Sequence, residues 1–82
     1  MGGKTLENLR EELRQLLIDL ASLPKDFDEN ADLYSDLGVP SIKAMELLMA
    51  LEERYGVSVP DEEFIEATSL VRMAGMMRGL KG

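Results

Sequence analysis

The sequence predicts an all-α fold, a small bundle of three longer helices and one short one with a long first connection. Three observations carry that prediction. Leucines near the start recur at three- and four-residue steps, the spacing that gathers them on one face of a helix. Two later stretches repeat helical patterning, one opening at Ser41 and stopping at Gly56, the other following Thr68-Ser69. The 82 residues include no cysteine and no histidine, so no disulfide, thiolate or imidazole metal site can support the fold. A chain this short makes one domain, 1–82, and helix packing must hold it together.

Residues 1–4 are expected to be a disordered start. Thr5 is placed to cap the first helix, whose apolar face is Leu6, Leu9, Leu13, Leu16, Leu17 and Leu20. Glu7 with Arg10, and Glu11 with Arg14, stand three apart on its wet side. Pro24 ends that helix, because the residue before proline avoids the helical region. Residues 24–40 form a long connection rich in Asp, Asn, Gly and Pro, and Leu33, Tyr34 and Leu37 are expected to tuck onto the core. The second helix runs from Ser41 to about Tyr55. Val57, Val59 and Pro60 make an extended link to a short third helix, Asp61 to Ala67, with acidic residues in its first turn. Thr68 or Ser69 caps a fourth, from Leu70 to about Leu80, which Gly75 weakens by ~1 kcal/mol relative to alanine.

Sixteen acidic residues against nine basic give a net charge of −7. A nucleic-acid binder needs a basic patch to displace counterions from phosphates, and an anionic lipid surface would repel this chain. The charge favours partners that present Lys and Arg. No apolar run approaches the ~20 residues that span a bilayer, and the start lacks the apolar stretch of a signal peptide. Gly2 hints at myristoylation, but that motif wants Ser or Thr where Leu6 stands. The expectation is a cytoplasmic monomer with no membrane and no nucleic-acid partner.

Two motifs fail. Gly3-Lys4-Thr5 echoes the end of a phosphate-binding loop without the earlier glycine or the preceding strand. Asp26, Asp28, Asn30 and Asp32 imitate a calcium loop, but Ala31 replaces its turn glycine and Leu37 its bidentate glutamate. No metal site is expected, and the stretch reads as a solvated acidic loop.

The second helix is the most informative stretch. At about 100° per residue, Ala44, Leu47, Leu48, Leu51 and Tyr55 fall on one side as a core stripe. The other side holds Ile42, Met45 and Met49, ringed by Glu46, Glu52 and Glu53. A helix that only had to fold would be polar there. Exposed methionine suits surfaces that meet several partners, and an acidic rim adds long-range steering. The bland alternative is a helix buried on both sides. Ser41 stands at the start of this helix, where a plain N-cap is its ordinary role, although Ala44 leaves the capping box incomplete. No histidine is present to act as its base, and Lys43 lies on another face, so the chain assembles no nucleophile of its own. No catalytic residue is assigned; the chain is not expected to be an enzyme.

At Asp36-Leu37-Gly38-Val39-Pro40-Ser41-Ile42, and at Glu46-Leu47-Leu48-Met49-Ala50-Leu51-Glu52-Glu53, the chain resembles the acyl carrier proteins. Val59-Pro60-Asp61-Glu62-Glu63 and Thr68-Ser69-Leu70 extend the similarity without a gap, over roughly residues 5–80. The resemblance implies an acyl-carrier-like four-helix bundle. It implies that Ser41 receives 4′-phosphopantetheine from coenzyme A through a separate magnesium-dependent phosphopantetheinyl transferase. It implies a thioester carrier serving acyl-transfer and synthase enzymes of fatty-acid, polyketide or related lipid synthesis. Partner docking falls by the same resemblance on Asp36, Ile42, Met45, Glu46, Met49, Glu52 and Glu53. Two positions depart from the family pattern. Pro40 stands where Asp usually precedes the modified serine, and Lys43 where an acidic residue is common. Both point to a specialised carrier. The rival reading, from a different class, is an unmodified helical adaptor that keeps the docking face and has lost the arm.

Overall fold

The computed structural model of the protein describes residues 5–81, with side chains from Asn8 to Leu80. The expected disordered start at 1–4, the Thr5 cap and the side chains of Leu6 and Glu7 lie outside the described residues. Among the described residues four helices follow in order: α1 Thr5–Ala21, α2 Lys43–Tyr55, α3 Asp61–Glu66 and α4 Leu70–Lys81. α1 packs against α4 and α2, and α3 packs against α4. The fold is the all-helical bundle that the leucine spacing predicts.

Each helix buries the stripe its sequence offers. Leu9, Leu13 and Leu17 of α1 meet Leu47 and Leu51 of α2, Phe64 of α3, and Leu70, Met73 and Met77 of α4 in one core. Five of the six methionines lie from Met45 to Met77: Met73 and Met77 are fully buried and Met76 is half-buried, whereas Met45 and Met49 are exposed. The long connection contributes Leu23, Phe27, Leu33 and Val39 to the core, with Tyr34 and Leu37 half-buried beside it. The polarity of the loop hid Phe27 and Val39 from the sequence reading.

Arg14 of α1 corrects the expected helix-surface pairing with Glu11, whereas the expected pairing of Arg10 with Glu7 involves a side chain outside the described residues. Arg14 does not spend its guanidinium on Glu11. It donates to Glu29 at 2.8 Å and to the carbonyls of Lys25 and Phe27 at 2.9 and 3.1 Å, with its guanidinium 4.5 Å from the Phe27 ring centre. Arg10 reaches the other oxygen of Glu29. A loop carboxylate held by two cations brings the chain back along α1, a longer-range contact that helix spacing cannot reveal.

The ends of the helices are set by backbone geometry. α1 stops at Ala21, and Ser22 takes the left-handed region with φ of 57° before Leu23 and Pro24. α2 stops where Gly56, with φ of 64°, donates its N–H to the Glu52 carbonyl at 2.9 Å. Ser69, not Thr68, caps α4: its Oγ accepts the Arg72 N–H at 3.2 Å. α2 begins two residues later than expected, at Lys43, and Ser41 is not its side-chain cap.

Candidate functional site

The site is built from the loop that leads into α2. Asp32 holds it: its Oδ1 accepts the N–H groups of Tyr34 and Ser35, both at 2.8 Å. Its carbonyl accepts those of Asp36 and Leu37 at 3.0 Å, and its own N–H donates to Asp36 Oδ2 at 2.9 Å. The Ser35 N–H first, and then the Tyr34 N–H, hold the Asp32 carboxyl below the usual aspartate range. Gly38, at φ of 75°, reverses the chain, a conformation open to glycine at little cost. The Val39 N–H then closes onto the Leu33 carbonyl at 2.8 Å, and the Leu33 N–H donates to the Thr68 carbonyl at 2.7 Å. The knot is thereby tied to the start of α4.

Ser41 leaves this knot in a turn of its own. The Lys43 N–H donates to the Pro40 carbonyl at 2.9 Å, and the Ala44 N–H to the Ser41 carbonyl at 3.0 Å. Ile42 already has helical angles. Ser41 is therefore fixed by its backbone, and its side chain is exposed with no hydrogen bond among the described residues. An uncommitted hydroxyl is what an attachment point needs and what a capping serine lacks. Beside it opens a mostly apolar cleft of about 220 Å³, lined by Tyr34, Ala44, Phe64, Ile65 and Thr68 with Ser41 itself.

The outer side of α2 is exposed as its wheel predicts: Ile42, Met45 and Met49 keep 77%, 65% and 63% of their surface accessible. Ile65 of α3, 70% exposed, lines the cleft beside Ser41. The sequence reading passed over Ile65, although its position next to buried Phe64 on a short helix turns it away from the core. Glu46 and Glu53 are exposed around this patch. Lys43 approaches Glu46 at 3.5 Å and offsets part of its charge. Two other residues assigned to docking are already engaged. Glu52 is half-buried and accepts the Val59 N–H at 3.0 Å, and Asp36 accepts the Asp32 N–H. Asp28, third in the calcium-like spacing, accepts the Asn30 N–H at 2.8 Å in a local turn.

A family model described as a phosphopantetheine attachment site matches residues 11–77, a span that takes in the knot, Ser41 and most of the four helices. The chain belongs to the acyl carrier protein family. Three relatives agree with this membership, each described as an acyl carrier protein. That of Akkermansia muciniphila is 29% identical over 76 residues, which are 92% of this chain and 95% of the relative. That of Campylobacter hominis is 37% identical over 54 residues, 65% of this chain and 68% of the relative. That of Wolinella succinogenes is 32% identical over 54 residues, 65% of this chain and 71% of the relative.

As a member of this family the chain is a carrier and not an enzyme, and its prosthetic group is 4′-phosphopantetheine. Carriers of the family are modified by a phosphopantetheinyl transferase and meet synthase and acyl-transfer enzymes. The residues around Ser41 fit the group: the hydroxyl is exposed and unbonded, and it precedes a helix whose positive end favours an attached phosphate. Among the described residues no helix is long and apolar enough to cross a membrane.

Proposed function

We propose that Ser41 bears the arm, and that Ile42, Met45, Glu46, Met49, Glu53 and Ile65 form the surface partners dock on. The observation that carries the reading is the Ser41 side chain, exposed and unbonded beside an apolar cleft at the start of α2. Ser41 Oγ attacks the β-phosphate of coenzyme A in the transferase, gives up its proton to a base of that enzyme, and breaks the pyrophosphate bond, so that adenosine 3′,5′-bisphosphate leaves and 4′-phosphopantetheine stays on Ser41 as a phosphodiester. The base must come from outside, because the chain has no histidine and Lys43 is paired with Glu46. Once attached, the arm supplies a thiol that carries an acyl group as a thioester. The cleft, with Ala44, Phe64 and Ile65 on its walls, shelters the first apolar carbons of that cargo from water.

The docking surface combines a hydrophobic centre with carboxylates at its edge, so its partners present an apolar pocket ringed by Lys or Arg. Asp36 and Glu52 shape this surface by holding backbone N–H groups at its border. The enzymes served are those of fatty-acid, polyketide or related lipid synthesis. Pro40 has no N–H and no carboxylate to offer a transferase's metal, so modification favours a transferase that supplies its own ligands. Incubation with coenzyme A, magnesium and a broad-specificity transferase tests the assignment. Wild type gains one arm, Ser41→Ala gains none, and Pro40→Asp gains it faster. Modification of Ser41→Ala at the wild-type rate overturns the reading, and no modification of wild type by any transferase of the source organism favours the adaptor.

A further inference from the structure

A second groove, of about 360 Å³, runs between α1 and α4 and shares no lining residue with the cleft beside Ser41. Leu9, Val71, Ala74 and Gly75 give it apolar surface, and Arg10, Glu29 and Arg78 give it charge. Val71, Ala74, Gly75 and Arg78 are spaced three, four and seven along α4 and so share one face of it. That face is distinct from the core stripe of Leu70, Met73 and Met77.

Two features show that the groove is made to be approached from outside. The first is Gly75. It has no positive φ, and a Cβ added there meets nothing within 4 Å. Among the described residues neither backbone conformation nor packing requires glycine, while helix propensity opposes it. Its missing side chain leaves the α4 backbone open to close approach by another chain.

The second is charge. The molecule carries −7, yet α4 holds Arg72, Arg78 and Lys81 and no acidic residue. The Arg78 side chain has no ion pair or hydrogen bond among the described residues. Among the described residues Glu29 is the one carboxylate lining the groove, and both its oxygens are taken by Arg10 and Arg14. The groove is a basic, apolar channel on an acidic protein. Basic partners are drawn to α2 and α3, and this face selects the opposite charge.

We propose that the α1–α4 groove docks an acidic amphipathic helix of a partner protein. The helix lays its apolar stripe along Val71, Ala74 and Gly75 and sets carboxylates against Arg78 and Arg10. An anionic membrane is a poorer occupant, because the rest of the molecule repels it. Docking here leaves Ser41 free, so the carrier can be held at one site while its other face visits successive enzymes, which raises its effective concentration at each.

The probes are two synthetic helical peptides, one of Leu and Glu at amphipathic spacing and one with Lys for every Glu, titrated into the isotope-labelled full chain. By nuclear magnetic resonance the acidic peptide shifts the amides of Val71, Ala74, Gly75 and Arg78 and leaves those of Ser41 and Ile42 unmoved. Gly75→Leu, which fills the groove from a position with open space, and Arg78→Glu each weaken that binding about tenfold. Transferase labelling of Ser41 is unchanged in both variants, which separates this proposal from the assignment of Ser41. Arg78→Gln carries the test alone should Gly75→Leu lower the melting temperature. Shifts centred on α2, no shift on α4, or equal binding of the two peptides would overturn the proposal. So would self-association by sedimentation that Arg78→Glu abolishes, or occupation of the groove by vesicles containing phosphatidylglycerol.

Discussion

Arg14 Nη2 donates to Glu29 Oε2 at 2.8 Å and so fastens the middle of α1 to the loop that leads to Ser41. The same guanidinium holds two loop carbonyls and covers the Phe27 ring. Only 18% of the Arg14 side chain is exposed, so these bonds are partly shielded from water. Arg14→Leu therefore costs about 2 kcal/mol, the scale of charge-assisted bonds with a part-buried backbone carbonyl left behind. Glu11→Ala, on the surface, changes stability by less than about 0.5 kcal/mol. Urea unfolding of the two variants, read by circular dichroism, checks the contrast; equal losses would mean that the network does not hold the loop.

Ser22 sits in the left-handed region at φ of 57° and is exposed. A non-glycine residue there costs roughly 1–2 kcal/mol, part of which glycine returns as unfolded-state entropy. Ser22→Gly raises unfolding stability by about 0.5–1 kcal/mol. Thermal melts decide it, and a lowered midpoint would show that the serine side chain matters more than its backbone strain.

Stability depends on pH at both ends of the scale. Burial first, and then the hydrogen bond to Glu12 at 2.8 Å, push the Tyr55 phenol from 10.0 up to about 12. Its folded-state value is raised, so the contribution is complete below pH 10 and is lost as pH climbs through 12. Absorbance titration at alkaline pH detects the late phenol, and Tyr55→Phe flattens that limb of the stability profile. On the acid side, Glu29 is lowered from 4.5, chiefly by its bond to Arg14, and Asp32 from 3.8, chiefly by the Ser35 N–H. Folded values below the ordinary ones give stability that is present above those pH values and lost as pH falls past them. Asp32→Asn removes part of this acid dependence. An unchanged acid limb would contradict the role given to the loop knot.

The acidic residues of α2 are expected to separate into two kinds. Glu46→Lys with Glu53→Lys abolishes binding to a basic partner enzyme and leaves the melting temperature nearly unchanged, since both side chains are exposed. Glu52→Ala instead lowers stability by about 1–2 kcal/mol, because the Val59 N–H loses its acceptor beside a buried side chain. Calorimetry with any synthase or acyl-transfer partner, alongside melts, separates the two. Intact binding after the double charge reversal would refute the docking surface.

Much of this was legible in the residues. The leucine spacing of α1 and the two-sided wheel of α2 point to the helices and the exposed patch, and the motif around Ser41 points to the family. What stayed hidden depends on contacts distant in sequence. Nothing near Glu29 announces that Arg10 and Arg14 converge on it from α1. Glu52 reads as one more rim carboxylate until the chain after Gly56 folds back and brings Val59 to it. Ser41 carries the composition of an N-cap, but the preceding turn ends in Pro40 and moves the first turn of α2 onward by two residues. Ile65 was readable, from its place beside Phe64, and needed only the short α3 to be treated as two-sided.

The central claim is that Ser41 bears the arm, and the most direct test is tandem mass spectrometry of the protein isolated from its own cells. A single phosphopantetheine on the peptide containing Ser41, absent from Ser41→Ala, is the predicted result. An arm on another serine, or none on protein isolated while its pathway is active, would contradict it.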